Sequence, residues 1–239
     1  MMANFVAAGC YQPAYSFSSM DLFVVGDVHG CYHTFRELLQ HWRPGEELLI
    51  QLGDLMDRGN FAPECVALAA ELCGQYPAHT LFLKGNHEAG MLDYYSPDNI
   101  PTSWLDWGGR LTVQQYEAQP ELLRPHLAWL KQRPLCWEND HVFVSHAGMA
   151  DTPKPFDEAN PDGVLWRRGP LRNIGKLQVI GHTPTPKSVY VLDAKANSLN
   201  LDTGAVYGHA LTGGRISAAG QLLETVSVPT HRADSSRVK

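Results

Sequence analysis

The sequence predicts an α/β fold, on three observations. Short apolar runs alternate with helix-length amphipathic stretches over the first third of the chain. The runs at 22–25, 46–52 and 81–84 each end in Gly followed at once by Asp or Asn, as Gly26-Asp27, Gly53-Asp54 and Gly85-Asn86. The last third is built from strand-length segments broken by Gly and Asp.

Residues 21–25 (DLFVV) read as a buried strand. In 31–42 (CYHTFRELLQHW), Phe35, Leu38, Leu39 and Trp42 recur at helical intervals, and Pro44-Gly45 ends that helix. The strand at 46–52 (EELLIQL) leads to an Ala- and Leu-rich helix at 63–73 that opens on Pro63, and 80–83 is the third strand. This succession predicts right-handed parallel βαβ units.

Between 89 and 134 the pattern changes. Trp104, Trp107, Tyr116 and Trp129 sit in helical stretches such as 122–132, separated by Gly108-Gly109, Pro120 and Pro125. This predicts a small helical insertion without a core of its own. Its aromatics are expected mainly to pack, with lining of a substrate cleft as the alternative.

Strands resume at 141–145 (HVFVS), before His146-Ala147-Gly148, and at 177–180 (LQVI), before Gly181-His182-Thr183. Segments 188–192, 198–202, 206–212 and 215–218 are expected to be antiparallel strands completing a second sheet. The organisation expected is an N-terminal extension at 1–20, one domain at 21–228 and a flexible polar tail at 229–239.

Composition narrows the class. With 239 residues, 44% hydrophobic and 18% charged, the chain is an ordinary globular domain. A net charge of -6 gives no support to a nucleic-acid partner, yet leaves room for a small phosphorylated substrate drawn in by local Arg and metal. The cysteines (Cys10, Cys31, Cys65, Cys73, Cys136) form no C-x-x-C pair and read as free, mostly buried thiols of a reducing compartment, not a zinc site. The N-terminus lacks a basic n-region, and no run reaches membrane-helix length. A cytoplasmic monomer without a membrane partner is the expectation.

The chemistry lies at the predicted strand ends, which present Asp27 and His29, Asp54, Asn86 and His87, His146, and His182. Any one of these alone is ordinarily a turn, cap or hydrogen-bonded residue. Together, carboxylate, carboxamide and imidazole form a ligand set for borderline divalent cations such as Mn, Fe or Zn. They are too many for one tetrahedral site. Paired cations sharing a carboxylate would use them all.

In order, Gly-Asp-Val-His-Gly, Gly-Asp-Leu-Met-Asp-Arg-Gly, Gly-Asn-His-Glu, His-Ala-Gly and Gly-His-Thr resemble the signature of the calcineurin-like metallophosphoesterases, most closely the compact bacterial and phage-type phosphoprotein phosphatases. The resemblance implies a sandwich of two mixed sheets flanked by helices. It implies two divalent cations, most often Mn, with Asp27, His29 and Asp54 on one and Asp54, Asn86, His146 and His182 on the other. A hydroxide bridging the cations would attack phosphorus, His87 would protonate the leaving alkoxide, and Asp57 would hold His87 oriented and cationic. Arg58 would grip the phosphoryl oxygens. A second arginine is expected after the fourth motif, where Trp166-Arg167-Arg168 makes Arg168 the choice and Arg167 its neighbour; Arg110 is a weaker candidate.

The activity implied is removal of phosphate from phosphoserine and phosphothreonine, with phosphotyrosine as a further substrate. The rival is a symmetrical diadenosine tetraphosphate hydrolase. It commonly has Ala in place of Asp57 and Asp in place of Glu88, which favours the phosphatase. A fold that has lost catalysis and only binds is disfavoured, because every expected ligand and the acid are present.

Overall fold

The computed structural model describes residues 10–11, 20–98, 102–186, 189–192 and 195–236. Two mixed sheets face each other. The first has the order β11-β10-β2-β3-β4, from β2 (Asp21–Val25), β3 (Glu47–Gln51), β4 (Thr80–Phe82), β10 (Ala210–Ile216) and β11 (Leu222–Pro229). The second has the order β1-β5-β6-β7-β9-β8, from β1 (Cys10–Tyr11), β5 (Cys136–Glu138), β6 (Val142–Ser145), β7 (Leu177–Ile180), β8 (Val189–Leu192) and β9 (Asn197–Asn200). β2, β3 and β4 are mutually parallel, and so are β6, β7 and β9.

Alternation along the strands makes the sandwich. In β2 and β3, Leu22, Val24, Leu48 and Ile50 face inward onto Val142, Val144, Leu177 and Val179 of the second sheet. Phe23, Val25 and Leu49 face the other way, onto α1 (Tyr32–Leu38) and α2 (Ala62–Gln75). Strands buried on both faces carry apolar residues on both, here at 22–25 and 48–50, which is why they read as continuous runs.

The helical insertion follows β4. It comprises α3 (Asn86–Tyr94), a 3-10 turn at Trp104–Trp107, α4 (Gly109–Ala118) and α5 (Pro120–Lys131). Met91, Trp104, Tyr116 and Leu130 join the core that Phe23 and Leu49 begin, so the insertion has no separate core. Pro125 was expected to separate helices, but it lies inside α5. It costs one main-chain hydrogen bond, and burial of His126 and Leu130 holds the helix through it.

The C-terminal strands differ from expectation. Residues 206–207 fall in a 3-10 turn, Ala205–Tyr207, and 210–216 form one strand instead of two separated at Gly213-Gly214. These glycines do not break the strand: a Cβ at Gly213 would lie 2.7 Å from the Phe23 ring, so glycine makes room for Phe23 on β2. β10 pairs antiparallel with β2, so the final hairpin extends the first sheet, not the second.

Two further expectations are corrected. Cys136 is disulfide-bonded, so the five cysteines are not all free thiols, and the thiol argument for a reducing compartment falls with that reading. The expected flexible tail is docked through Ser235. Asp234 is fully buried and accepts from the backbone N–H groups of His33 (3.0 Å) and Thr34 (2.8 Å) and from the Thr34 hydroxyl (2.6 Å). It supplies the cap that α1 lacks locally, since Cys31 makes no side-chain cap bond. Asn60 donates from its backbone to the Asp234 carbonyl (2.9 Å) and from its side chain to the Ala233 carbonyl (2.7 Å). The expected extension at 1–20, apart from β1 and Met20, lies outside the described residues, as do 237–239. Among the described residues no helix is long and apolar enough to cross a membrane.

Replacing Asp234 with Ala leaves two buried donors of Thr34 and the part-buried N–H of His33 without an acceptor. We expect a loss of about 1–3 kcal/mol, read as a lowered urea midpoint at unchanged slope. An unmoved midpoint would contradict the docked tail.

Candidate metal centre

The site lies where the C-terminal ends of β2, β3, β4, β6 and β7 meet. Asp27 and His29 follow β2, Asp54 follows β3, Asn86 and His87 open α3 after β4, His146 follows β6 and His182 follows β7. All of these are buried. The backbone is held in unusual conformations there: His29, Asp54, Asp57, Arg58 and His182 have positive φ (47°, 59°, 72°, 69° and 67°). Non-glycine residues accept that strain where the surroundings over-determine them, as functional sites do. The motif glycines permit the crowding. A Cβ on Gly85 would sit 2.2 Å from Asp54 Oδ1, and one on Gly181 2.1 Å from Asp27 Oδ1.

Asp54 is the hub. Its Oδ1 accepts from the His87 backbone N–H (3.1 Å) at the N-terminus of α3. Its Oδ2 faces His29 Nε2 (3.5 Å), His146 Nε2 (3.5 Å) and His87 Nε2 (3.8 Å). Burial would raise the Asp54 pKa, but positive charge on His146, His87, His29 and His182 outweighs it and holds the carboxyl well below the usual range, a role a bound cation would take over where those rings are neutral.

Three histidines each spend one ring nitrogen on the backbone. His29 Nδ1–H donates to the Met56 carbonyl (2.8 Å), His146 Nδ1–H to Leu52 (2.9 Å) and His182 Nε2–H to Trp166 (3.2 Å). Burial lowers all three pKa values, that of His29 further by Arg58 and that of His182 to about 2 with help from His146. Neutral rings with one N–H spent turn their lone pairs inward. His146 Nε2 and His182 Nδ1 lie 3.1 Å apart, and each is 2.9 Å from Asn86 Oδ1. Acceptors gathered this closely cannot satisfy one another.

The acidic side shows the same need. Asp27 Oδ2 accepts from the His182 backbone N–H (3.0 Å), and among the described residues its buried Oδ1 has no partner. Burial, then repulsion from Asp202 and Asp54, pushes the Asp27 pKa well above its ordinary value. Lone pairs facing lone pairs and an orphaned carboxylate oxygen fit divalent cations, with backbone carbonyls orienting the ligand histidines from behind. Two overlapping groups, His29, Asp54 and His87, and Asp27, Asp54 and His146, bring their ligand atoms within 4.8 Å of one another. Asp54 is common to both.

His87 stands differently. Its Nδ1–H donates to Asp57 Oδ2 (2.6 Å), and Asp57 also accepts from Trp104 Nε1–H (2.6 Å) and the Thr112 hydroxyl (2.5 Å). Burial lowers the His87 pKa, but Asp54 and Asp57 prevail and raise it. The Arg58 guanidinium spans the site, with Nη1 at 2.6 Å from His29 Nε2, Nη2 at 2.8 Å from His87 Nε2, and Nε donating to the Trp107 carbonyl (3.0 Å). A cation thus already meets the His29 lone pair.

Of the other arginines, Arg168 is exposed at the rim and donates to the Thr183 hydroxyl (3.3 Å), where its charge depresses the pKa values of His146 and His182. Arg167 is committed to Asp162 (2.6 Å) and the Pro170 carbonyl, and Arg110 pairs with Asp106 on the surface (2.8 Å). Neither is brought to the site.

Some site residues escaped the sequence reading. Glu88 is fully buried and accepts from the backbone N–H groups of Asp54 (2.7 Å), Leu55 (2.8 Å) and Gly85 (2.7 Å), clamping the Asp54 turn. Burial and Asp54 push its pKa up to about 7 against those donors. Its capping position three residues after Gly85 was a usable signal. Asp202, raised to about 6 by burial and by Asp54, sits just after β9, and its strand-end position could have been read the same way. Trp104 and Thr112 reach Asp57 from 47 and 55 residues away, which no local pattern discloses.

Residues 20–212 match the calcineurin-like phosphoesterase family. The chain belongs to that family. Its members use a dinuclear metal centre, and the ligand groups described above are this phosphoesterase's candidates for it. Serine/threonine-protein phosphatase 1 of Salmonella typhimurium is 33% identical over 210 residues, covering 82% of this chain and 91% of the relative. A bis(5'-nucleosyl)-tetraphosphatase PrpE [asymmetrical] of Geobacillus thermodenitrificans is 29% identical over 245 residues, covering 88% and 95%. Among solved structures, a protein serine/threonine phosphatase from Saccharomyces cerevisiae, with similarity to human phosphatase PP5, aligns at a TM-score of 0.60 and 15% identity, covering 93% of this chain and 84% of that one. The likeness of fold agrees with the two mixed sheets.

Glu88→Gln keeps the shape of the clamp but turns an amide toward backbone donors. We expect a loss of about 2–4 kcal/mol in urea unfolding of metal-free protein. No loss would show that the Asp54 turn holds itself.

Proposed function

We propose that this phosphoesterase is a dinuclear-metal phosphomonoesterase acting on phosphoserine and phosphothreonine. The observation that carries the reading is the Asp57–His87 pair (2.6 Å) beside the candidate ligands. An alkoxide is a poor leaving group and needs a proton as the P–O bond breaks, whereas the phosphate leaving group of a dinucleoside tetraphosphate does not. A buried imidazole kept protonated by a carboxylate suits the first case.

Asp27, His29 and Asp54 would hold one cation, and Asp54, Asn86, His146 and His182 the other. Bound there, the cations would neutralise phosphoryl charge and supply a water of lowered pKa. Asp57, pinned by Trp104 and Thr112, holds the His87 ring through Nδ1, and Nε2, which Arg58 Nη2 meets at 2.8 Å, would carry the proton to the leaving oxygen once Arg58 turns to the phosphoryl group. Arg58 would bind phosphoryl oxygens bidentately, releasing His29 and His87 as it does so. Arg168 adds charge at the opposite rim. The relative named as a serine/threonine-protein phosphatase supports this reading.

A second reading is favoured by the relatives named tetraphosphatases. Those relatives are named as the asymmetrical enzyme, whereas the rival that the resemblance suggested was the symmetrical one.

The test compares a phosphothreonine peptide with diadenosine tetraphosphate, using metal-stripped protein re-supplied with Mn. Phosphate from the peptide as the dominant product is expected; dominant nucleotide cleavage would overturn the reading. In the same assay His87→Asn should lose a hundredfold or more, on the order expected of a general acid, on the peptide and far less on p-nitrophenyl phosphate. Equal losses on both would remove His87 from the proton-transfer role.

A further inference from the structure

Trp107 shares an unpartnered indole N–H with the buried Trp137, and its ring contact with His87 sets it apart from the other tryptophans. Trp104 donates its indole N–H to Asp57, Trp42 to the Glu47 carbonyl and Trp166 to the Glu158 carbonyl. Among the described residues the Trp107 indole N–H has no partner, and its side chain is only partly buried, packed at the edge of the core. Its position is nonetheless fixed. Arg58 Nε donates to its carbonyl (3.0 Å), and Gly108, at φ 126°, presses the backbone so close that a Cβ there would lie 2.7 Å from Arg58 Cγ. The ring stands edge-to-face to His87 at 6.1 Å and to Trp166 at 5.3 Å. Trp166 in turn carries the carbonyl that orients His182. The two indoles therefore form a half-exposed aromatic wall running from the proton donor to the far ligand histidine.

We propose that Trp107 is a specificity-determining residue that packs the leaving group and so sets how strongly the site favours phosphate esters of flat aromatic alcohols over those of aliphatic ones. This rests on the proposed role of His87. The group that receives the His87 proton lies next to His87, and so against whatever lines that side. Trp107 is the aromatic side chain in ring contact with His87 on that side, Trp166 backs it, and an open indole donor completes the surface. A tyrosine ring gains an offset or edge-to-face contact that a serine or threonine methylene cannot make. Because Arg58 holds Trp107 through its carbonyl, changing the side chain leaves that bond in place.

The experiment uses the full chain with Mn and two phosphopeptides of one sequence, differing only in phosphotyrosine or phosphothreonine. kcat/KM is measured for wild type, W107A and W107F, with melting temperature as the check on folding. W107A is expected to lower the ratio of kcat/KM on the tyrosine peptide to that on the threonine peptide about three- to tenfold, the worth of one aromatic pair. W107F is expected to restore most of the difference. Equal losses on both peptides, or no loss on the tyrosine peptide, would overturn the assignment while leaving the phosphatase reading intact. A wild type that cleaves threonine but not tyrosine phosphate would overturn it too. A wild type inactive on both peptides would overturn the proposed function and the inference with it.

Discussion

The buried Asp54 carboxylate is the constraint on which the rest of the site depends. It lies at the C-terminal end of β3, between β2 and β4 of the first sheet, and two imidazoles from that sheet's loops and one from the second crowd its Oδ2. A charge in that position is tolerable only if opposite charge converges on it, which neutral ligand histidines do not supply and paired cations would. The surroundings fix its aim. Glu88 clamps the turn, the α3 N-terminus supplies an N–H, and Gly85 leaves the space that a Cβ would fill. The positive φ of Asp54 itself is part of the same bargain between backbone strain and side-chain aim.

Much of this was legible in the sequence because it is local. An apolar run, a glycine and a ligand at once afterwards record a strand end and its turn in consecutive letters, and the βαβ units follow from the same runs. What was not legible is long-range. The sandwich partner of each strand, the attachment of the final hairpin to β2 and the docking of Asp234 on α1 depend on contacts across 197 or more residues in some cases. Gly213 was misread as a break because its purpose, clearance for Phe23, lies on another strand. Trp104 and Thr112 were opaque for the same reason: as local letters they are a packing aromatic and a mid-helix threonine.

The same contrast bears on activity. A dinuclear metal centre belongs to the family as a whole, so it does not separate a phosphatase from a tetraphosphatase. What separates them physically is the leaving group, and the structure concentrates its effort there. Asp57 receives three hydrogen bonds in order to present one, from His87, in a single orientation. Arg58 ties that pair to the Trp107 loop, so proton donor, phosphoryl grip and aromatic wall form one connected unit.

The central claim is that Asp54 joins two cation sites into one. The most direct test is metal content after equilibrium dialysis against Mn, for wild type and for Asp54→Asn. The account predicts two ions per wild-type chain, as in paired-metal hydrolases, and joint loss of both in the variant, because each site draws on the same carboxylate. A variant that retains two ions at wild-type affinity, or a wild type that binds none, would contradict it.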